Sequence, residues 1–305
     1  MRVELGQAKK IFMITKKSEN VTTRTLETYN EVMKRFIDYL FNRDILDISV
    51  IDACCIREFL ITQQERGLRG ITQHRYFRTL RTFFLFLYHN DYLDKNPIAN
   101  VKAPKVESKE MRTFTAQEIS KLLNAFDKTT FLGFRNYCIF CIFFSTGMRK
   151  GELTVLTLAD INITNDFIRI AHGKGQKERY VPIGRTLRRV LLQYLKKRED
   201  YLNGDSCEFL FITPRAERKM TLSCLTVLFQ KLKRELKLTG EKISCHTWRH
   251  TFAKNYLLNG GDIFSLQKIL GHSDIATTKN YLNLNNKEIQ VQHAKFNPLD
   301  NKDWL

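Results

Sequence analysis

Two arginines, one lysine, two histidines and one tyrosine sit in short segments whose residue types suit chemistry at a phosphate. Arg149 lies in Thr146-Gly147-Met148-Arg149-Lys150-Gly151-Glu152-Leu153, and Lys174 lies in Gly173-Lys174-Gly175. His246 and Arg249 share His246-Thr247-Trp248-Arg249, and His272 follows Leu270-Gly271, nine residues before Tyr281. A tyrosine hydroxyl can attack a phosphodiester and expel a sugar hydroxyl, conserving the bond energy as a phosphotyrosine. Its ordinary pKa of about 10 means that it needs help near neutrality. The five-coordinate transition state concentrates negative charge, and preorganised cations answer that need. Arginine forks bond two phosphate oxygens at once and keep their proton. The departing oxygen takes a proton that a turn lysine can give, and histidines near neutrality can shuttle protons.

Taken one at a time, these residues also have plain structural readings. Arg149 at the end of an apolar helix would meet the helix dipole, and Glu152 three residues on would pair with it. A lysine between glycines is an ordinary solvated turn residue. His246 and Arg249, three apart, would share one helix face as a surface polar pair. His272 could flank a helix end, and Tyr281 could be a core aromatic beside Ile275 and Leu282. His246 and His250 are four apart, as zinc ligands on a helix can be, but Thr247 stands where the HExxH glutamate would be. No third ligand is obvious, so no metal site is expected.

Periodicity and caps define the elements that must hold these residues. Residues 21–94 read as helices only. Thr22 or Thr23 would cap a first helix carrying Leu26, Tyr29, Met33, Phe36, Ile37 and Leu40 at 3-4 spacing. Further helices are expected over about 50–65 and 71–89, and Ala103-Pro104-Lys105 reads as a linker. Thr115 with Glu118 is a capping box opening a new helix. A buried helix is expected over about 131–145. Strands at 167–170 and 178–181 flank a glycine-rich turn that holds Lys174 and Lys177. Helices follow at about 184–198, 221–237, 247–258, 262–270 and 274–282.

Charge and composition narrow the partner. The 305 residues carry a net charge of +18, and 43% are hydrophobic, enough for packed cores in two domains. Residues 1–103 hold 17 Lys/Arg against 12 Asp/Glu, or +5, which leaves +13 for the rest. Both halves are therefore basic and suit a polyanion. The 71–89 helix places Arg75, Arg78 and Arg81 at spacing three, opposite Tyr76, Leu80, Phe83 and Phe84, so a basic stripe backs an apolar one. A solvated charged face is the plainer reading of that helix alone. Seven cysteines, with the Cys138/Cys141 pair inside an apolar run, read as reduced thiols in a cytoplasmic protein. No apolar run is long enough for a membrane helix, so no membrane association is expected.

The segments TGMRKGEL, HGKGQKERYVPI, HTWRH and LGHSDIATTKNY, in that order over about 110–290, resemble the tyrosine recombinase (phage integrase) family. The resemblance is to its Xer-like or transposon-encoded members. It implies a mainly α fold with a small antiparallel β-sheet in the catalytic domain, and two domains forming a C-shaped clamp on DNA. The division it implies is an N-terminal extension at 1–20, a helical core-binding domain at 21–103, a linker at 104–112, a catalytic domain at 113–282 and a tail at 283–305. By the same resemblance Arg149 and Arg249 are phosphate clamps, Lys174 the general acid and His246 a proton shuttle. His272 is then a transition-state donor, and Tyr281 the nucleophile that takes the 3′ phosphate. Glu152 supports Arg149, while Arg75, Arg78, Arg81, Lys177 and Arg179 are expected DNA contacts.

The family needs no cofactor. Its members act on a core site in double-stranded DNA as a synaptic tetramer, in some cases with accessory proteins. Tails like 283–305, with Ile289, Val291, Phe296, Leu299, Trp304 and Leu305, commonly dock on a neighbouring protomer. With only about twenty residues before the first expected helix, a separate arm-binding domain is not expected. A type IB topoisomerase shares the Arg/Lys/Tyr chemistry, and a DNA-binding regulator could use the same fold. The TGMRKGEL and LGHSDIATTKNY segments favour recombination over the first, and the six filled positions argue against the second.

Overall fold

The computed structural model describes residues 4–106, 112–171, 178–214, 219–237, 244–279, 281 and 286–296. Its elements divide into two compact units, Met1–Lys109 and Glu110–Leu305. The described residues of the first unit form α1 (Leu5–Ser18), α2 (Thr23–Phe41), α3 (Ala53–Glu65) and α4 (Gly70–His89), with a short 3-10 turn at Ile48–Val50. The Thr22 hydroxyl caps α2 by accepting from the Thr25 N–H, and Asp52 does the same for α3 through Cys55. Phe12, Phe36, Phe59, Tyr76, Phe83 and Phe84 fill the core. Several of their rings meet edge-on, as at Phe36–Phe59 (5.0 Å) and Phe12–Phe83 (5.3 Å), while Phe59 and Tyr76 stack.

The described part of the segment read as an N-terminal extension, residues 4–20, carries α1, which packs on α2 and α4 and buries Leu5, Ala8 and Phe12. Its apolar stripe runs at i, i+3 and i+7 among Lys9, Lys10, Lys16 and Lys17. Those lysines dilute the periodic signal, but the stripe matches the groove that the other helices leave open. On α4, Arg75, Arg78 and Arg81 stand exposed while Tyr76, Phe77, Leu80, Phe83 and Phe84 are buried.

The second unit comprises α5 (Ala116–Asn124), α6 (Phe131–Thr146), α7 (Lys150–Thr154), β1 (Ile161–Asn162), β2 (Phe167–Ile170), β3 (Arg179–Pro182) and α8 (Arg185–Leu202). The remaining helices are α9 (Leu222–Glu235), α10 (Cys245–Leu258), α11 (Ile263–Leu270), α12 (Ile275–Lys279) and α13 (Asn286–Phe296). Thr115 and Glu118 form the expected capping box on α5. Helix α6 is apolar almost all round and is sandwiched by α8 and α10. Trp248 on α10 packs its buried ring against Phe114, Phe140 and Phe144.

The sheet is antiparallel in the order β1-β2-β3, with Ile168 opposite both Ile161 and Val181. Ile168, Ile170 and Val181 face the core. The turn holding Lys174 and Lys177 lies outside the described residues. Helix α13 interrupts what reads in sequence as a sparse tail. It rests on the end of its own chain's α10, where Gln292 Nε2 donates to the Leu257 and Leu258 carbonyls and Lys254 pairs with Glu288 at 2.7 Å. Ile289, Val291 and Phe296 on α13 stay exposed.

Candidate active site

Two glycine turns and one helix start build the site. The first is at Gly147, which ends α6 in the left-handed region at φ +60°. A Cβ there would sit 2.5 Å from Phe252 and 2.8 Å from Leu270, so both conformation and space require glycine. The chain then turns so that Arg149 precedes α7 and does not end the long apolar helix. The second is the start of α10, capped by the Ser244 hydroxyl, which puts His246 and Arg249 on its first turns. The third is Gly271, left-handed at φ +66°, which ends α11 and delivers His272.

Arg249 is at the centre, only 4% exposed. Its Nη1 donates to the Gly147 carbonyl at 2.8 Å, and its Nη2 donates to the Leu270 carbonyl at 2.8 Å. The same Nη2 reaches His272 Nε2 at 2.7 Å. An arginine can only donate, so Nε2 accepts and His272 carries its proton on Nδ1, 2.8 Å from Thr278 Oγ1. Burial first, then the Arg149 cation, lowers the Arg249 pKa to about 10, against the pull of nearby Tyr281 and Glu152.

Tyr281 lies just past α12, its backbone N–H donating to the Thr278 carbonyl. It is buried with Phe252, Ala253, Leu257, Leu266 and Leu270. Two imidazoles lie against its ring: His272 stacks at 5.9 Å and 12°, and His250 tilts at 5.3 Å and 49°. His250 is a residue that sequence reasoning considered only as a zinc ligand, although it adjoins Arg249 and is one turn from His246. Its Nδ1 is buried without a hydrogen-bond partner. Burial, then His246 and Arg249, lowers its pKa to about 4. His246 sits at the exposed rim. Desolvation, then Arg249, Lys150 and Arg149, holds its pKa below the usual imidazole value.

Glu152 is 4% exposed and accepts four contacts. Two come from Arg149, its backbone N–H at 2.7 Å and Nη1 at 3.0 Å. The other two come from Arg179, Nη1 at 2.9 Å and Nη2 at 2.8 Å. Burial alone would raise the Glu152 carboxyl, but the Arg179 and Arg149 donors outweigh it and leave the pKa below the ordinary value. Glu152 therefore bonds both Arg149 and Arg179, the second a residue that the sequence reading assigned to DNA. Its guanidinium is turned inward, with Nε donating to the Ile269 carbonyl at 2.9 Å.

The structure thus brings Arg149, His246, Arg249, His272 and Tyr281 together, with Lys150, Arg179 and His250 added. Lys174 and Lys177 lie outside the described residues, and Arg75, Arg78 and Arg81 belong to the first unit. Chemically, the cluster is a cationic cradle beside a phenol. Among the described residues no group of three or more metal-ligating side chains occurs, and no helix is long and apolar enough to cross a membrane.

The sequence profile of the phage integrase family matches residues 112–288. The chain belongs to the phage integrase family. A second profile, the phage integrase SAM-like domain, matches residues 12–105, and so takes in part of α1. The tyrosine recombinase XerD of Staphylococcus epidermidis is 30% identical over 282 residues, covering 92% of this chain and 94% of that protein. Two solved structures share the fold. The Tn1549 transposon integrase, in complex with circular intermediate DNA, aligns with a TM-score of 0.77 at 20% identity over 95% of this chain and 99% of that one. XerH, bound to a palindromic difH substrate, aligns with a TM-score of 0.74 at 23% identity over 95% and 84%. Like other members of the phage integrase family, this chain is a site-specific recombinase and a mainly helical protein with one small antiparallel sheet.

Proposed function

We propose that this recombinase cleaves each strand of a duplex core site with Tyr281, forming a 3′-phosphotyrosyl bond and freeing a 5′ hydroxyl that attacks the partner strand through a Holliday junction. The observation that carries the reading is the Tyr281 ring stacked on His272, whose Nε2 accepts from the buried Arg249, with Arg149, Lys150 and His246 nearby and Glu152 the neighbouring carboxylate. An anion is what such a cluster lacks, and a scissile phosphate supplies it.

Arg149 and Arg249 hold the non-bridging oxygens. Lys174 gives the leaving oxygen its proton, and His246 at the rim relays protons. His272 enters the reaction with Nε2 occupied by Arg249. Before it can donate to a phosphate oxygen, Nε2 must gain a proton and Arg249 must turn its Nη2 donor to the phosphate. The scissile phosphate supplies the acceptors, and Nε2 gains its proton by tautomer exchange, Nδ1 giving up its own and accepting from Thr278 Oγ1. Arg75, Arg78 and Arg81 on α4 add contacts to the phosphates of duplex DNA.

Recombination needs a synaptic tetramer in this reading. The exposed Ile289, Val291 and Phe296 on α13 support docking of the tail on a neighbouring protomer. A chain ending after residue 284 is expected to bind its site but not recombine it, and unchanged recombination removes the tail from the scheme.

The deciding experiment uses a nicked duplex that traps the covalent adduct, run with wild type and Tyr281→Phe on a denaturing gel. Adduct with wild type alone is expected. Adduct that persists with Tyr281→Phe refutes the choice of nucleophile.

A further inference from the structure

Arg179 opens strand β3, and its side chain is 10% exposed. Three of its donors are committed to two partners. Nη1 and Nη2 engage both oxygens of Glu152, and Nε engages the Ile269 carbonyl. Each Glu152 oxygen therefore takes one contact from Arg179 and one from Arg149, so the carboxylate joins the two arginines directly. On the other side the Arg179 stem presses on Gly271, where an added Cβ would lie 2.9 Å from Arg179 Cδ. Gly271 is the turn that delivers His272. One side chain thus ties β3 to the turn bearing Arg149 and to the turn bearing His272.

We propose that Arg179 is a positioning residue and not a DNA contact. It fixes Arg149 through Glu152, and it fixes His272 through the Ile269 carbonyl and Gly271. This rests on the roles given above to Arg149 and His272. Only arginine's planar fork can serve the carboxylate and the carbonyl together. A lysine keeps the charge and loses that geometry, so Arg179→Lys separates a brace from a charge contact. Misplacement of a catalytic group by about 1 Å can slow chemistry on the order of a hundredfold.

The test uses the full chain and the trapping duplex. Cleavage rate under saturating protein and DNA affinity at two salt concentrations are measured for wild type, Arg179→Lys, Arg149→Lys and the double variant, well below each unfolding midpoint. Tyr281→Phe is the control for the underlying chemistry. Arg179→Lys is expected to cleave on the order of tenfold to a hundredfold more slowly, with affinity and salt dependence unchanged. The double variant is expected to be slower than Arg149→Lys by less than the full Arg179→Lys factor, because the Arg149 arm of the brace is already lost and only the His272 arm remains. Multiplied losses in the double variant overturn the proposal, since Arg179 would then act independently of Arg149. Weakened affinity with a shallower salt dependence overturns it in favour of a DNA contact. Wild-type cleavage by folded Arg179→Lys overturns it in favour of a purely structural pair. Adduct formation by Tyr281→Phe instead overturns the nucleophile assignment and leaves the affinity comparison to judge Arg179 by itself.

Discussion

Replacing Glu152 by glutamine keeps the side chain's shape and removes its charge. In the folded protein the two carboxylate oxygens receive four donors, two each from Arg149 and Arg179. A glutamine offers one oxygen and one NH2, so two donors would face another donor. Arg179, 10% exposed, would be left buried without its counter-charge. Breaking a buried ion pair from one side costs about 3–5 kcal/mol. Arg149, 29% exposed, stays partly solvated and adds little. For a unit of this size, with about 2–4 °C of melting temperature per kcal/mol, the shift is roughly 6–20 °C downward.

Linkage adds a pH signature to the same variant. The Glu152 carboxyl titrates below its ordinary 4.5 in the folded protein. Its stabilisation is therefore full above 4.5 and is lost as pH falls through the folded value. Thermal unfolding followed by circular dichroism at pH 7, and then in steps downward, should show a wild-type advantage that is constant to about pH 5 and shrinks below it. A melting temperature for Glu152→Gln within 2 °C of wild type at pH 7, or a gap that grows on acidification, refutes this account of the carboxylate.

Phe12→Ala empties a socket formed by the rings of Tyr29, Phe83 and Phe86, and should cost the first unit about 3–5 kcal/mol in urea unfolding; an unchanged midpoint would return α1 to the status of an appendage. His250, with a folded pKa near 4 against an ordinary 6.5, resists protonation that the unfolded chain accepts. Stability should therefore fall as pH drops from 6.5 towards 4, and His250→Gln should flatten that part of the profile. Arg78→Ala and Arg81→Ala should each weaken DNA binding by similar amounts on all sequences and lower the slope of log K against log salt by about 1; an unchanged slope would make that face of α4 merely solvated.

Much of the fold was legible because its signals are local. The Thr22 cap, the Thr115/Glu118 box and the 3-4 spacing on α2 and α4 act within one or two turns, and each appears where the sequence places it. The N-terminal helix was not legible, since its three buried residues are separated by lysines and only the groove between α2 and α4 makes them core. Nor was α13, which is held on α10 by polar side chains donating to backbone carbonyls and not by an apolar stripe.

The sequence by itself determined which chemical groups are present, their order, and the family to which their motifs belong. Tertiary structure alone decided which of them meet. Arg179 pairs with a carboxylate 27 residues away, and Arg249 donates to a carbonyl 102 residues away. A basic residue in a strand reads as a surface cation until packing buries it. The cost of leaving a buried charge unpaired then makes its partner a matter of three-dimensional proximity, which spacing along the chain does not encode.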